Sequence, residues 1–266
     1  MKSRILVAAV GVPVLLYVVL AAPPIVMLFA LCLLAGVGAV ELQQCVSGGK
    51  WGPLMAVSAC CGVLPVVWWY NLPGVLVLEI ILVLAYAIFQ GGKVKFNQIM
   101  AALGGGTFIA YSFAAFLRLG TVHGRIVPRA YLLLPFILSF ACDTFAFFAG
   151  LTLGKHKLAP KVSPKKTVEG SIGGLLGNVV CGLLFAYVMN RWFGASIAAA
   201  PMALLSLVCG AAAQIGDLSF SLIKREFGIK DYGHIFLAHG GVLDRFDSVL
   251  FVAPVVEIAF TLFSAF

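Results

Sequence analysis

Asp244 and Asp247, three positions apart in the run VLDRFD, project from one face if the chain there is helical. Paired carboxylates of this kind suit hard, oxygen-seeking cations such as Mg²⁺. The residues just before them supply the opposite charge and a turn: Lys224-Arg225, Lys230-Asp231 and His239-Gly240-Gly241. Ser221 to Asp247 thus holds four of the chain's ten carboxylates, four Lys or Arg and two of its four His. Arg245 points away from the Asp pair and is available to a phosphate. Gly240 and Gly241 let backbone N–H groups approach an anion closely. Two plainer readings stand beside these. Asp244 and Asp247 can be favourable charges at a helix N-terminus, worth a few tenths to about 1 kcal/mol each. His239 can be a general base, a phosphate ligand or a hydrogen-bonded turn residue.

Two further acids, Asp143 and Asp217, lie inside apolar runs, where a charge costs ~2.5–3.5 kcal/mol on insertion scales and marks a functional position. No basic residue lies in the interior of either run. Asp217, Ser221 and Lys224 share one helical face. The segment Gly154 to Asn178 adds a lysine cluster followed by glycines at the entry to a span. Basic side chains beside a helix N-terminus favour phosphate, so Lys165, Lys166, Glu169 and Ser171 are expected to contact a substrate. Lys155, Lys157 and Lys161 are expected to lie against anionic lipid instead. The spacing GxxxxGK[ST] is absent, so this is no Walker loop. The pairs Gly170/Gly174 and Gly173/Gly177 have the small-xxx-small spacing of close helix packing.

The elements that must position these groups are membrane helices. Of 266 residues, 62% are hydrophobic and 11% charged, with mean hydropathy +1.08, far from soluble composition. Uncharged apolar runs predict nine spans, near 5–21, 24–43, 52–70, 74–90, 98–117, 130–151, 171–190, 198–222 and 248–266. The expected fold is an all-α, polytopic integral membrane bundle of about nine transmembrane helices forming a single membrane domain, 1–266. The N-terminal run has no small-x-small cleavage site and reads as a retained first helix. Residues 1–127 carry only two acids, Glu41 and Glu79, so chemistry is expected in 128–266, with its polar loops 152–169 and 223–247. Those basic loops belong in the cytoplasm, although Arg118, Arg125 and Arg129 then fall on the far side. The net charge of +8 lies between spans, as beside anionic headgroups, and argues against nucleic acid. The seven Cys, odd in number and without CxxC spacing, read as small packing residues.

The pattern Ser221, Ile223, Lys224-Arg225, Lys230-Asp231, His239-Gly240-Gly241, Asp244-Arg245-Phe246-Asp247 resembles the signature of the phosphatidate cytidylyltransferases, or CDP-diacylglycerol synthases. Asp143 to Gly174 resembles that family's second block. The chain departs from the pattern at Leu237-Ala238, where a small turn residue is usual, and at Leu151, where relatives often have Arg. The resemblance implies the reaction CTP plus phosphatidate giving CDP-diacylglycerol plus pyrophosphate, dependent on Mg²⁺ alone or with a second cation. It also implies a place in phospholipid biosynthesis, the bacterial inner membrane with the site facing the cytoplasm, contact with membrane lipids, and a homodimer. On this reading Asp217 and Asp244, with Asp143 and Asp247, hold the metal, and Lys165, Lys166, Ser171, Lys224, Arg225, Arg245, Gly240 and Gly241 bind phosphate. The catalytic set is Asp217, Asp244, Lys224, Arg245 and His239. Two other readings are a CTP-using polyprenol or phytol kinase and an ion-coupled transporter with Asp143 and Asp217 as coupling sites.

Overall fold

The computed structural model describes residues 2–121, 128–233, 235 and 240–263. Among them are nine helices: α1 (Lys2–Leu20), α2 (Pro24–Val46), α3 (Pro53–Val67), α4 (Leu72–Phe89), α5 (Phe96–Leu119), α6 (Leu134–Leu153), α7 (Val168–Trp192), α8 (Ala199–Glu226) and α9 (Leu243–Leu262). The expected all-α, polytopic architecture is what the chain adopts, with nine helices among the described residues where nine spans were expected. Six stretches are long and apolar enough to cross a membrane: α2, α4, α5, α7, α8, and α6 with the 3-10 turn Arg129–Leu133 that leads into it. The chain is an integral membrane protein. Helix α9 begins at Leu243, ahead of the apolar run that predicted it, and so carries Asp244, Arg245 and Asp247 in its first turns. Within α5 the run Ala101–Gly106, AALGGG, forms a π-turn.

The polar loop after α6 contains a feature that hydropathy does not show. Strands β1 (Lys157–Ala159) and β2 (Ser163–Thr167) pair antiparallel, with Lys157 opposite Thr167 and Ala159 opposite Ser163. Their turn is closed by the Val162 N–H donating to the Ala159 carbonyl at 3.1 Å, with Pro160 in the position whose φ a β-turn requires. Strands this short and rich in Lys and Pro carry no alternating pattern to read.

The chain divides into two compact units. Unit 1 comprises Met1–Arg118 and Lys224–Phe246; unit 2 comprises Leu119–Ile223 and Asp247–Phe266. In unit 1, α2 and α3 touch through small residues: a methyl on Gly62 would lie 2.6 Å from the Ala35 carbonyl oxygen. Beside that seam Ser58 Oγ donates to Gln43 Oε1 at 3.1 Å. Phe113 of α5 meets Phe246 edge-on at 5.6 Å. In unit 2, the glycines of α7 bring it against α6 as their spacing predicts: a methyl on Gly170 would lie 2.8 Å from the Ala146 carbonyl oxygen, and one on Gly174 2.9 Å from that of Cys142. Tyr131 packs edge-on between Phe185 and Phe260, at 5.9 and 5.3 Å.

Candidate active site

In unit 2 the hairpin and the start of α7 frame a cavity of about 470 Å³. Thr167 ends β2 and opens α7, its hydroxyl accepting the Gly170 N–H at 3.1 Å. Glu169, expected to contact substrate, closes the base of the hairpin. Its carboxylate accepts the backbone N–H groups of Lys155 at 3.0 Å and His156 at 3.2 Å, and meets His156 Nδ1 at 2.6 Å. Local hydrogen bonds therefore fix β2 where Lys165 and Lys166 reach the cavity wall. Replacing Thr167 with Ala should cost about 1 kcal/mol by removing this cap, lowering the unfolding midpoint, while Thr167→Ser stays close to the parent; thermal unfolding in detergent measures both.

The same cavity is lined by Asp143 from α6, Ser171 from α7, and Gln214 and Asp217 from α8. Lys166 Nζ lies 2.5 Å from Asp217 Oδ2. The basic partner missing from the apolar run thus arrives from the hairpin. Ser221 Oγ donates to Asp217 Oδ1 at 3.3 Å, the two side chains sharing a helix face as their spacing requires. Ser171 Oγ bonds Gln214 Oε1, and the Gln214 amide donates to the Ser171 carbonyl at 3.0 Å. Asp143 is joined to α9 through buried Ser248, whose hydroxyl lies 3.2 Å from Asp143 Oδ2 and 3.4 Å from Asp247 Oδ1. Leu151 stands on the cavity rim, mostly exposed. Lys157, expected against lipid, also faces the cavity.

Unit 1 holds a second constellation around Asp244. Lys224 Nζ pairs with Asp244 Oδ1 at 2.8 Å, with side chains only 11% and 4% exposed. Asp244 Oδ2 accepts the backbone N–H groups of Tyr232 at 2.8 Å and Gly241 at 2.9 Å. Gly240 has φ +82°, in the left-handed region that favours glycine, and a methyl there would run into the Asp244 side chain. The two glycines expected at a phosphate therefore surround this carboxylate. The Lys224 ammonium lies 5.4 Å from the centroid of the Tyr232 ring. Arg225 donates to the Ile229 carbonyl at 3.4 Å, and Arg245 is exposed. A larger apolar cavity of about 1050 Å³ follows α2 and α3, past Phe29, Leu33 and Val63, to Glu41 and Tyr232.

Unit 2 brings together Asp143, Asp217, Lys165, Lys166 and Ser171, with Asp247 linked to Asp143 through Ser248. Unit 1 brings together Lys224, Asp244, Gly240 and Gly241. His239 lies outside the described residues, as do Leu237 and Ala238. The sequence reading missed Ser248, Gln214 and Glu41. For Glu41 a signal exists: it is an acid in an apolar run, the criterion that singles out Asp143 and Asp217, although it lies in the acid-poor half. Its carboxylate, 4% exposed, accepts the N–H groups of Val242 at 3.0 Å and Leu243 at 2.9 Å.

Comparison with known proteins adds an independent line. The model of the cytidylyltransferase family matches residues 2–263. A protein of Staphylococcus saprophyticus named phosphatidate cytidylyltransferase is 34% identical over 97% of this chain and 98% of its own length. Proteins of the same name from Staphylococcus epidermidis and Staphylococcus aureus are each 32% identical over 97% of this chain and 98% of their own lengths. A match spanning nearly the whole chain, on a membrane bundle whose carboxylates meet lysines near helix starts, means that this chain belongs to the cytidylyltransferase family.

Proposed function

We propose that the chain is a phosphatidate cytidylyltransferase, making CDP-diacylglycerol and pyrophosphate from CTP and phosphatidate in phospholipid biosynthesis. The observation that carries the reading is the unit 2 cavity, where Asp143 and Asp217 share a wall with Lys165 and Lys166. Carboxylates beside lysines are what a metal-bound triphosphate calls for. A phosphate oxygen of phosphatidate attacks the α-phosphorus of CTP; that P–O bond forms as the α–β bridging P–O bond breaks, and pyrophosphate leaves with the electron pair. A phosphate monoester is already anionic near neutral pH, so positioning and charge neutralisation are the protein's work. Lys165, Lys166 and Ser171 bind phosphate oxygens in unit 2; Lys224, Arg225 and Arg245 are the phosphate-binding cations of unit 1. The apolar cavity along α2 and α3 fits acyl chains.

Within each unit, the described residues contain no group of three His, Cys, Asp or Glu that could hold a metal ion. The donors present still fit Mg²⁺, which takes one or two carboxylates and completes its shell with water and substrate phosphates. Asp143 and Asp217, with Asp247 behind Ser248, are its holders in unit 2, and Asp244 is the candidate ligand in unit 1. An ion held by these residues would supply charge neutralisation for the triphosphate and Lewis-acid polarisation at the α-phosphorus. The lysine-rich hairpin faces the cytoplasm, where CTP is found, and the protein resides in the cytoplasmic membrane.

Purified protein should release pyrophosphate from CTP only with phosphatidate present. EDTA should abolish release and added Mg²⁺ restore it. Formation of CDP instead would point to a lipid kinase, and an absence of either product to a transporter; each result overturns the reading. Neither alternative is favoured by the family match.

A further inference from the structure

Among the described residues, helix α9 starts without a side-chain cap of its own. The Val242 carbonyl accepts the Phe246 N–H at 3.1 Å, so Val242 is the residue that opens the helix, and its side chain has no acceptor for the amides of the first turn. Glu41, 201 and 202 positions away in sequence, supplies it: Oε1 takes the N–H of Val242 and Oε2 that of Leu243. One carboxylate, held in the interior of α2, thereby occupies two amides that would otherwise be orphaned. The approach depends on Gly241 and Gly233, because a methyl on either would collide with the Glu41 carboxylate. Immediately after this capped turn comes Asp244, which accepts the N–H of Gly241. Gly241 thus lies between two carboxylates, its Cα facing Glu41 and its amide donating to Asp244.

We propose that Glu41 is a positioning residue for cytidylyl transfer: it pins the first turn of α9 from α2 and so sets the place and orientation of Asp244. The inference rests on Asp244 belonging to the active site, as the proposed function has it. It gives the acid-poor half a share in catalysis without contact with a reacting atom. A displacement on the order of 1 Å in a reacting group can cost 10²-fold in rate, and loss of one capping oxygen allows movement of that kind.

The test compares Glu41→Gln, Glu41→Ala and Glu79→Gln in full-length protein. Glu79 is the other buried acid of this half, bonded to Thr107 at 2.6 Å, and serves as the control for damage to the bundle. In Glu41→Gln one oxygen still accepts an amide while the NH₂ group opposes the other. Its kcat should fall about 10-fold and that of Glu41→Ala about 10²-fold, with KM for CTP changing less than twofold. The parent rate is expected in Glu79→Gln. Amide hydrogen exchange in the peptide spanning 241–248 should accelerate in both Glu41 variants and not in Glu79→Gln. Parent kcat in Glu41→Ala, equal losses in Glu41→Gln and Glu79→Gln, or unchanged exchange at 241–248 would each overturn the proposal. If the parent protein fails to use phosphatidate, the functional reading is what has failed, and the exchange measurement still decides whether Glu41 holds the turn.

Discussion

Asp217→Asn lowers the rate of pyrophosphate release by about 10²–10³-fold, the range seen when one preorganised electrostatic group is removed from a transition state. Asparagine has the size of aspartate and can still accept the Ser221 hydroxyl, so α8 keeps its packing and the charge alone is lost. That charge has two calls on it: Lys166, at 2.5 Å, and the cation the cavity is proposed to bind. Lys166→Met separates them. If Asp217 only anchors Lys166, the two single variants and the double variant lose activity equally. If Asp217 also holds the cation, Asp217→Asn raises the Mg²⁺ concentration needed for half-maximal rate and Lys166→Met does not. Asp143→Asn should follow Asp217→Asn, because the two carboxylates line one cavity. Parent activity in Asp217→Asn, or an unchanged Mg²⁺ requirement, would end the metal assignment.

Lys224→Ala destabilises the protein by about 3–5 kcal/mol, the cost of breaking a buried ion pair from one side. The Asp244 side chain is 4% exposed and shares its turn with the Glu41 carboxylate. Without the ammonium, the Asp244 and Glu41 carboxylates keep the backbone amides that meet them and lose the paired cation. Replacing both partners, in Lys224→Met with Asp244→Asn, removes the stranded charge and should recover most of the lost stability. It should not recover activity. Unfolding in detergent and pyrophosphate release, measured side by side on these variants, divide the structural role of the pair from its chemical one. Should Lys224→Ala unfold like the parent, the pair is not the buried, coupled element its geometry indicates.

The spans were legible because hydropathy is a local sum: about twenty consecutive residues suffice to declare a membrane helix, whatever they pack against. Asp143 and Asp217 were legible for the same reason, since a charge inside such a run stands out without knowledge of its neighbours. The close packing of α6 and α7 could also be read, from glycines at helical spacing. The hairpin of 157–167 could not, because strands of three and five residues give no periodicity.

The partners of the acids were a different matter. No local pattern ties Lys166 to Asp217, Ser248 to Asp143 across 105 positions, or Glu41 to Val242 across 201. By itself, then, the sequence determined the membrane class, the helices, the family and which residue types were out of place in hydrocarbon. The tertiary structure decided which of them meet: that Lys166 belongs to Asp217, that Gly240 and Gly241 surround Asp244, and that the acid-poor half contributes Glu41 to the start of α9. The physical reason is range. Partitioning into the membrane and helix formation act between near neighbours in sequence, whereas an ion pair or a cap between distant segments exists only once the fold has closed the loop between them.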